Sequence, residues 1–250
     1  MIAVSSPYFS HFSFRSMLEK ISSEFSSWEI VAEGKHSLQD LESDFLEYTP
    51  SYDLSFSVHA PMSDINIGSL NRNMLEASLN ELITCMRSCN KLGIEIATVH
   101  PGFISPLGMV DKSKVIDMTK ASLFRLEAEA TELGVKIAFE NMPACPMCLG
   151  TTPGDLLTLL EGTELGICFD IGHANTTNTV QEFLDLKDRF VNVHIHDNTG
   201  VSDEHLPIGK GTVDFPAVIN ALGSRRYVIE SRGWDDALES RNVLQKMLSS

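Results

Sequence analysis

Residues 166–173 read GICFDIGH: a short apolar run that closes on Asp170, with His173 one helical turn further on. Upstream, KIAFEN (136–141) has the same form and closes on Glu140, IATVHP (96–101) on His100, and SFSVHA (55–60) on His59. Downstream, VNVHIHD (191–197) closes on His194 and His196, and YVIES (227–231) on Glu230. These residues recur at roughly 25–40 positions, the length of one strand plus one helix. Strands of this kind, apolar on both faces, belong to buried parallel sheets.

The remaining chain fits the same alternation. Strands are predicted at 2–6, 28–32, 54–59, 95–100, 136–140, 166–170, 191–196 and 227–230. Between them lie stretches of helical period at 14–25, 38–48, 71–92, 114–133, 180–186, 215–222 and 237–248, with a helix start at Thr152-Pro153-Gly154-Asp155. Gly93 and Gly134 are placed as helix C-caps. Strand then helix, repeated eight times, is a (β/α)₈ barrel, an α/β fold. All strand ends then meet on one face. A doubly wound open sheet is the rival, but it would gather its site at one crevice and would not need donors from six strand ends.

The chain has 250 residues and 43% hydrophobic content, enough for a large core. A barrel of this type uses about 250 residues as one domain, and no linker divides the chain, so residues 1–250 are expected to form a single domain. The net charge of −15 argues against nucleic acid, whose binding rests on Lys and Arg. No leader pattern opens the chain, and no apolar run approaches the ~20 residues of a membrane span. Five sparse cysteines point to reduced thiols and a cytoplasmic location.

Imidazoles and carboxylates on one barrel face are the donor types of a divalent-metal site. A lone strand-end histidine is commonly a structural residue, but a whole ordered series is not. The series runs His59-Ala60-Pro61, His100-Pro101-Gly102, Glu140-Asn141, Asp170 to His173, His194 to Asp197, Asp203-Glu204-His205, Gly209-Lys210-Gly211 and Glu230. In its order and spacing, it resembles the xylose isomerase-like TIM barrel superfamily, which includes sugar and sugar-phosphate isomerases and epimerases and the endonuclease IV (AP endonuclease family 2) enzymes.

The resemblance to the endonuclease IV branch implies up to three zinc ions on His59, His100, Glu140, Asp170, His173, His194, Asp203, His205 and Glu230. The resemblance to the isomerase and epimerase branch implies one Zn or Mn ion on Glu140, Asp170, His194 and Glu230. Glu140 and Glu230 would then be catalytic and move protons between sugar carbons. Asn141, His196, Lys210 and Arg232 are the candidate substrate contacts, Lys210 and Arg232 for a phosphate. Met62-Ser63-Asp64-Ile65-Asn66 lacks the DNA-wedging aromatic of the endonuclease branch. The span 197–206 lacks the arginine common in epimerases. The first expectation is therefore a metal-dependent isomerase or epimerase acting on a small sugar or sugar phosphate. The alternative is an endonuclease IV-like zinc phosphodiesterase acting on nucleic acid, and a third reading is a metal-binding barrel without activity. His11 and His36 are expected in solvated loops, Cys85 and Cys89 in the core, and Cys145-Pro146-Met147-Cys148 in a loop after the fifth strand.

Overall fold

The apolar runs form eight parallel strands: β1 (Ile2–Ser5), β2 (Ser27–Val31), β3 (Ser55–His59), β4 (Ile96–Val99), β5 (Lys136–Glu140), β6 (Gly166–Asp170), β7 (Phe190–Ile195) and β8 (Tyr227–Glu230). They appear in a computed structural model that describes residues 1–249. Each strand pairs with the next, and β8 returns to β1 through Ser5↔Glu230, closing the barrel. The (β/α)₈ expectation is met, and strand bounds differ from it by a residue or so at the ends. His100 and His196 fall just past β4 and β7.

The helices are α1 (Phe14–Ser22), α2 (Leu38–Tyr48), α3 (Arg72–Leu92), α4 (Lys112–Leu133), α5 (Pro153–Leu159), α6 (Ile171–Thr176), α7 (Val180–Leu184), α8 (Phe215–Leu222) and α9 (Trp234–Leu248). Gly93 (φ 69°) and Gly134 (φ 66°) end α3 and α4 in the left-handed conformation that favours glycine. Thr152 caps α5 by accepting from the Asp155 N–H, with Pro153 in the first turn. α6 was not among the predicted helices, since so short an element carries no readable period. It exists because the Asp170 carboxylate accepts the His173 N–H at 2.6 Å, capping the helix at the end of β6. Among the described residues no helix is long and apolar enough to cross a membrane.

Side chains alternate across each strand. Trp28 of β2 points to the helix layer, where it stacks on Phe14 at 5.4 Å between ring centroids. Glu29 points inward. The same alternation brings Ser57, Thr98, Cys168 and Asn192 to a buried level of the barrel, and His59, Glu140, Asp170 and His194 to the level above it. The interior beneath the site is therefore partly polar, although the strands read as near-continuous apolar runs.

His36 departs from expectation. It is 1% exposed, with its ring edge-on to Trp28 at 5.3 Å and to Phe14 at 6.1 Å. Burial pushes its pKa down to about 4, against a smaller opposing effect of a hydrogen bond to the Phe12 backbone. The unfolded chain protonates near the ordinary value of about 6.5, above the folded value, so this contribution is complete above pH 6.5 and is lost as pH falls toward 4. It amounts to about 2 kcal/mol between pH 7 and pH 5. Urea unfolding at both pH values should show that much less acid sensitivity in a His36→Leu variant. Equal pH dependence in the two proteins would refute the assignment.

Candidate metal centre

β3, β4, β5, β6, β7 and β8 deliver their terminal residues to one end of the barrel, where the donors fall into three neighbouring groups, the first and middle of which share Glu140. His59, His100 and Glu140 form the first. Glu140, Asp170, His194 and Glu230 form the middle group. His173, Asp203 and His205 form the third, which His196 joins.

In the first group His100 Nε2 lies 2.9 Å and His59 Nε2 3.4 Å from Glu140 Oε2, and the two imidazole nitrogens are 3.1 Å apart. In the middle group His194 Nδ1 lies 2.9 Å from Glu140 Oε1, 3.2 Å from Glu230 Oε1 and 3.8 Å from Asp170 Oδ2. In the third, Asp203 Oδ2 is 3.0 Å from His205 Nε2 and 3.4 Å from His173 Nε2. His196 Nε2 lies 3.5 Å from Asp203 Oδ1 and 3.2 Å from Asp170 Oδ1. Four donors at about 2.0–2.1 Å from a tetrahedral ion stand about 3.3 Å apart, so these separations suit such an ion.

Two further observations fit the donors to cations. Glu140 Oε2, Asp170 Oδ2, Asp203 Oδ1 and His196 Nε2 are buried without a hydrogen-bond partner, a costly state that a cation would relieve. The imidazoles are also held ready. His59 Nδ1 bonds the Ala60 carbonyl at 2.9 Å and His173 Nδ1 the Asn141 carbonyl at 2.8 Å, which directs each Nε2 lone pair at its group. The charge balance points the same way. Burial opposes protonation of His59, yet Glu140 and then Glu230 hold its pKa up at about 9. Burial likewise opposes protonation of His173, but Asp170, Asp203 and Glu140 hold it up at about 10. The carboxylates need positive charge, which protons supply when no other cation does. Cys168, below His194, is pushed well above its ordinary pKa by burial. Cys168 also groups with Glu140 and His194; the other donors are nitrogen and oxygen, types that suit zinc or manganese among divalent ions.

All nine residues named as metal donors therefore lie together at one end of the barrel, in neighbouring groups. The substrate contacts fare differently. Asn141 is fully buried and spends its amide on the Asp170 backbone, donating to the carbonyl at 3.0 Å and accepting the N–H at 2.8 Å. His196 is also fully buried, stacked on His205 with 3.9 Å between centroids, and faces donors rather than the opening. Lys210 pairs with Glu239 of α9 at 2.9 Å, with both side chains about half exposed. Its glycine-rich loop offers backbone N–H groups, but Asp197 fills that cradle. Asp197 Oδ2 accepts from Gly209 and Gly211 at 3.0 and 2.8 Å, and Oδ1 from Asn198 and Val213 at 2.9 and 3.2 Å. Arg232 is exposed at the mouth and donates to the Asp203 carbonyl at 3.2 Å. Cys145 and Cys148 join none of the donor groups.

Sequence reasoning missed two parts of the centre. Glu29, fully buried on β2, accepts from His194 Nε2 at 2.7 Å. Gly172, in the first turn of α6, leaves room for His196: a Cβ there would lie 2.0 Å from Cε1 and 2.4 Å from Nδ1 of that ring. Alanine would favour the helix by about 1 kcal/mol, but the imidazole would have to leave the third group. Gly172→Ala is expected to weaken zinc binding there by about 10-fold or more. A titration against a competing chelator measures this, and wild-type affinity for every ion would refute it.

A closed barrel with its acid and imidazole donors at one end is the architecture of a known class of enzymes. The chain belongs to the xylose isomerase-like TIM barrel family, whose model matches residues 22–247. It is similar to protein MJ1311 of Methanocaldococcus jannaschii, 36% identical over 98% of this chain and 88% of that one. It is also similar to a solved structure described as a D-tagatose 3-epimerase-like protein, with a TM-score of 0.92 and 34% identity over 99% of this chain and 97% of the other. A probable endonuclease 4 of Aquifex aeolicus is 26% identical over 71% of this chain and 69% of its own length. The family's members include epimerases and endonucleases of this type.

Proposed function

We propose that this chain is a divalent-metal enzyme that directs water at a phosphate ester, with a small, sugar-like substrate. The observation that carries the reading is three neighbouring donor groups, the first and middle of which share Glu140: a single-ion isomerase needs only the middle one. Cations held there would supply Lewis acidity for phosphate oxygens and a water made acidic near neutral pH. The chain's own residues divide by exposure. Glu140, Asp170, His194, His59 and His173 are buried and hold geometry. Glu230, His100, Asp203 and His205 have side chains 12%, 23%, 27% and 23% exposed and face the opening. Glu230 is the carboxylate that would take a proton from the attacking water, and Arg232, which donates to the Asp203 carbonyl, is the cation that would meet a phosphate at the mouth.

A second reading, a sugar isomerase or epimerase with one ion, is supported by the Glu140–Glu230 pair in the middle group and by the similarity to the epimerase-like protein. Metal content separates the two. Elemental analysis after mild purification, combined with assays on a phosphomonoester and on ketose sugars, should give about three ions per chain and phosphate release. One ion with sugar epimerisation would overturn the first reading in favour of the second. Tight exclusion of divalent ions would overturn both.

A further inference from the structure

Glu29 lies outside every donor group, yet it touches the middle one through His194. Its two carboxylate oxygens are used differently. Oε2 accepts from Ser57 Oγ at 2.6 Å and Asn192 Nδ2 at 2.7 Å, with Arg226 Nη1 at 3.4 Å. Oε1 faces His194 Nε2 alone, at 2.7 Å. A carboxylate only accepts, so the ring nitrogen must carry the proton. Asn192 Nδ2 also lies 3.2 Å from that nitrogen, but its two hydrogens go to Glu29 Oε2 and to Thr98 Oγ1 at 3.0 Å. Among the described residues no other hydrogen bond is made to His194 Nε2.

The geometry points to Glu29 as the positioning residue that fixes His194 in the Nε2–H form and aims the Nδ1 lone pair into the middle group. Its partners hold the carboxylate itself in place. Arg226, just before β8, also donates to Asn192 Oδ1 at 3.2 Å and Ser27 Oγ at 3.1 Å. A line of contacts thus runs from Arg226 through Glu29 and His194 to Glu140 and Glu230 at the opposite end. For His59 and His173 a backbone carbonyl does this work, and any side chain at those positions would keep it. His194 instead depends on one replaceable side chain.

The inference rests on the metal reading above, and Glu29→Gln separates the two. Three donors converge on the Oε2 position, so the glutamine oxygen must sit there. The amide nitrogen then faces His194 Nε2 and donates to it, which moves the ring proton to Nδ1 and blocks the metal position. Zinc affinity of the middle group should fall about 10- to 100-fold. Ser57→Ala, which removes one Oε2 donor but leaves Oε1 facing His194, should stay within about 3-fold of wild type.

The measurement is a zinc titration against a competing chelator for wild type, Glu29→Gln and Ser57→Ala, alongside long-range ¹H–¹⁵N spectra of the zinc-loaded wild type. The spectra should show His194 with a proton on Nε2 and none on Nδ1. This readout needs no variant, so it decides the matter even if Glu29→Gln does not fold. Wild-type zinc affinity in folded Glu29→Gln, or a His194 bound through Nε2, overturns the positioning role while leaving the metal reading intact. Absence of zinc binding by the wild type overturns the metal reading and this inference with it.

Discussion

Glu140→Gln is expected to cut turnover by about 10³-fold or more, equivalent to about 4 kcal/mol of lost transition-state stabilisation, and to lower the zinc content of two donor groups together. Glu140 is the residue shared by the first and middle groups, with Oε2 at 2.9 Å from His100 and Oε1 at 2.9 Å from His194. An amide must put its NH₂ in one of these positions, where it offers hydrogens instead of a lone pair. Glu230→Gln gives the contrast. Its carboxylate belongs to the middle group alone and is partly open to the cavity. It should lose turnover on a similar scale while the first and third groups keep their zinc. Both variants are nearly isosteric with the native residue, so circular dichroism should show a folded barrel. Near-normal turnover in both would refute the catalytic assignment under either functional reading.

The strand ends were legible because chemistry and topology coincide there. An apolar run ending in His59, Glu140 or Asp170 can be read locally, and a parallel barrel converts that local fact into a shared site. The loop donors Asp203 and His205 were legible only through the family resemblance. The fold reaches them by a bend at the end of β7, closed by Asp197 pairing with Leu206, and by a left-handed backbone at His205 with φ 50°. Neither feature has a sequence period.

Glu29 was not legible in that way, although a signal existed. An acid inside Ser27-Trp28-Glu29-Ile30-Val31, a strand buried on both faces, has to find partners. Two of those partners, Asn192 and Arg226, are 163 and 197 positions away, so no local spacing identifies them. The glycine-flanked Lys210 presents the opposite case. Gly-Lys-Gly offers N–H groups that would suit a phosphate, but the sequence does not reveal that Asp197 already satisfies them. A Cβ at Gly211 would lie 2.1 Å from the Asn198 carbonyl oxygen, so that glycine serves the close approach of two loop strands. The order of the two functional readings changes for a geometric reason as well. Sequence departures at Met62–Asn66 favoured the isomerase, whereas three neighbouring donor groups give support to the hydrolase.

Phosphoester chemistry need not mean DNA. Duplex DNA carrying one abasic site is expected to be a poor substrate, at least about 100-fold below a small phosphomonoester in kcat/KM. Duplex binding draws on several Lys or Arg contacts to phosphates, and its strength falls steeply with salt as those contacts release counterions. The chain carries a net charge of −15. Around the mouth, Lys210 is engaged by Glu239 and Arg232 by the Asp203 carbonyl. The loop after β3, where a wedge would enter the helix, is held by an acid: Glu33 Oε1 accepts the Met62 and Ser63 N–H groups at 2.6 Å each, and Oε2 the Ser63 hydroxyl at 2.8 Å. Asp64 stands at its exposed tip with φ 60°, where a flanking phosphate would have to pass. Cations in the centre would attract one phosphate group, which suffices for a small ester but does not seat a duplex. The decisive assay supplies zinc, uses a chelator as control, and compares both substrates at physiological salt. Robust zinc-dependent incision at the abasic site would make this a DNA-repair nuclease, and the acidic mouth would then have to open or rearrange to admit the strand.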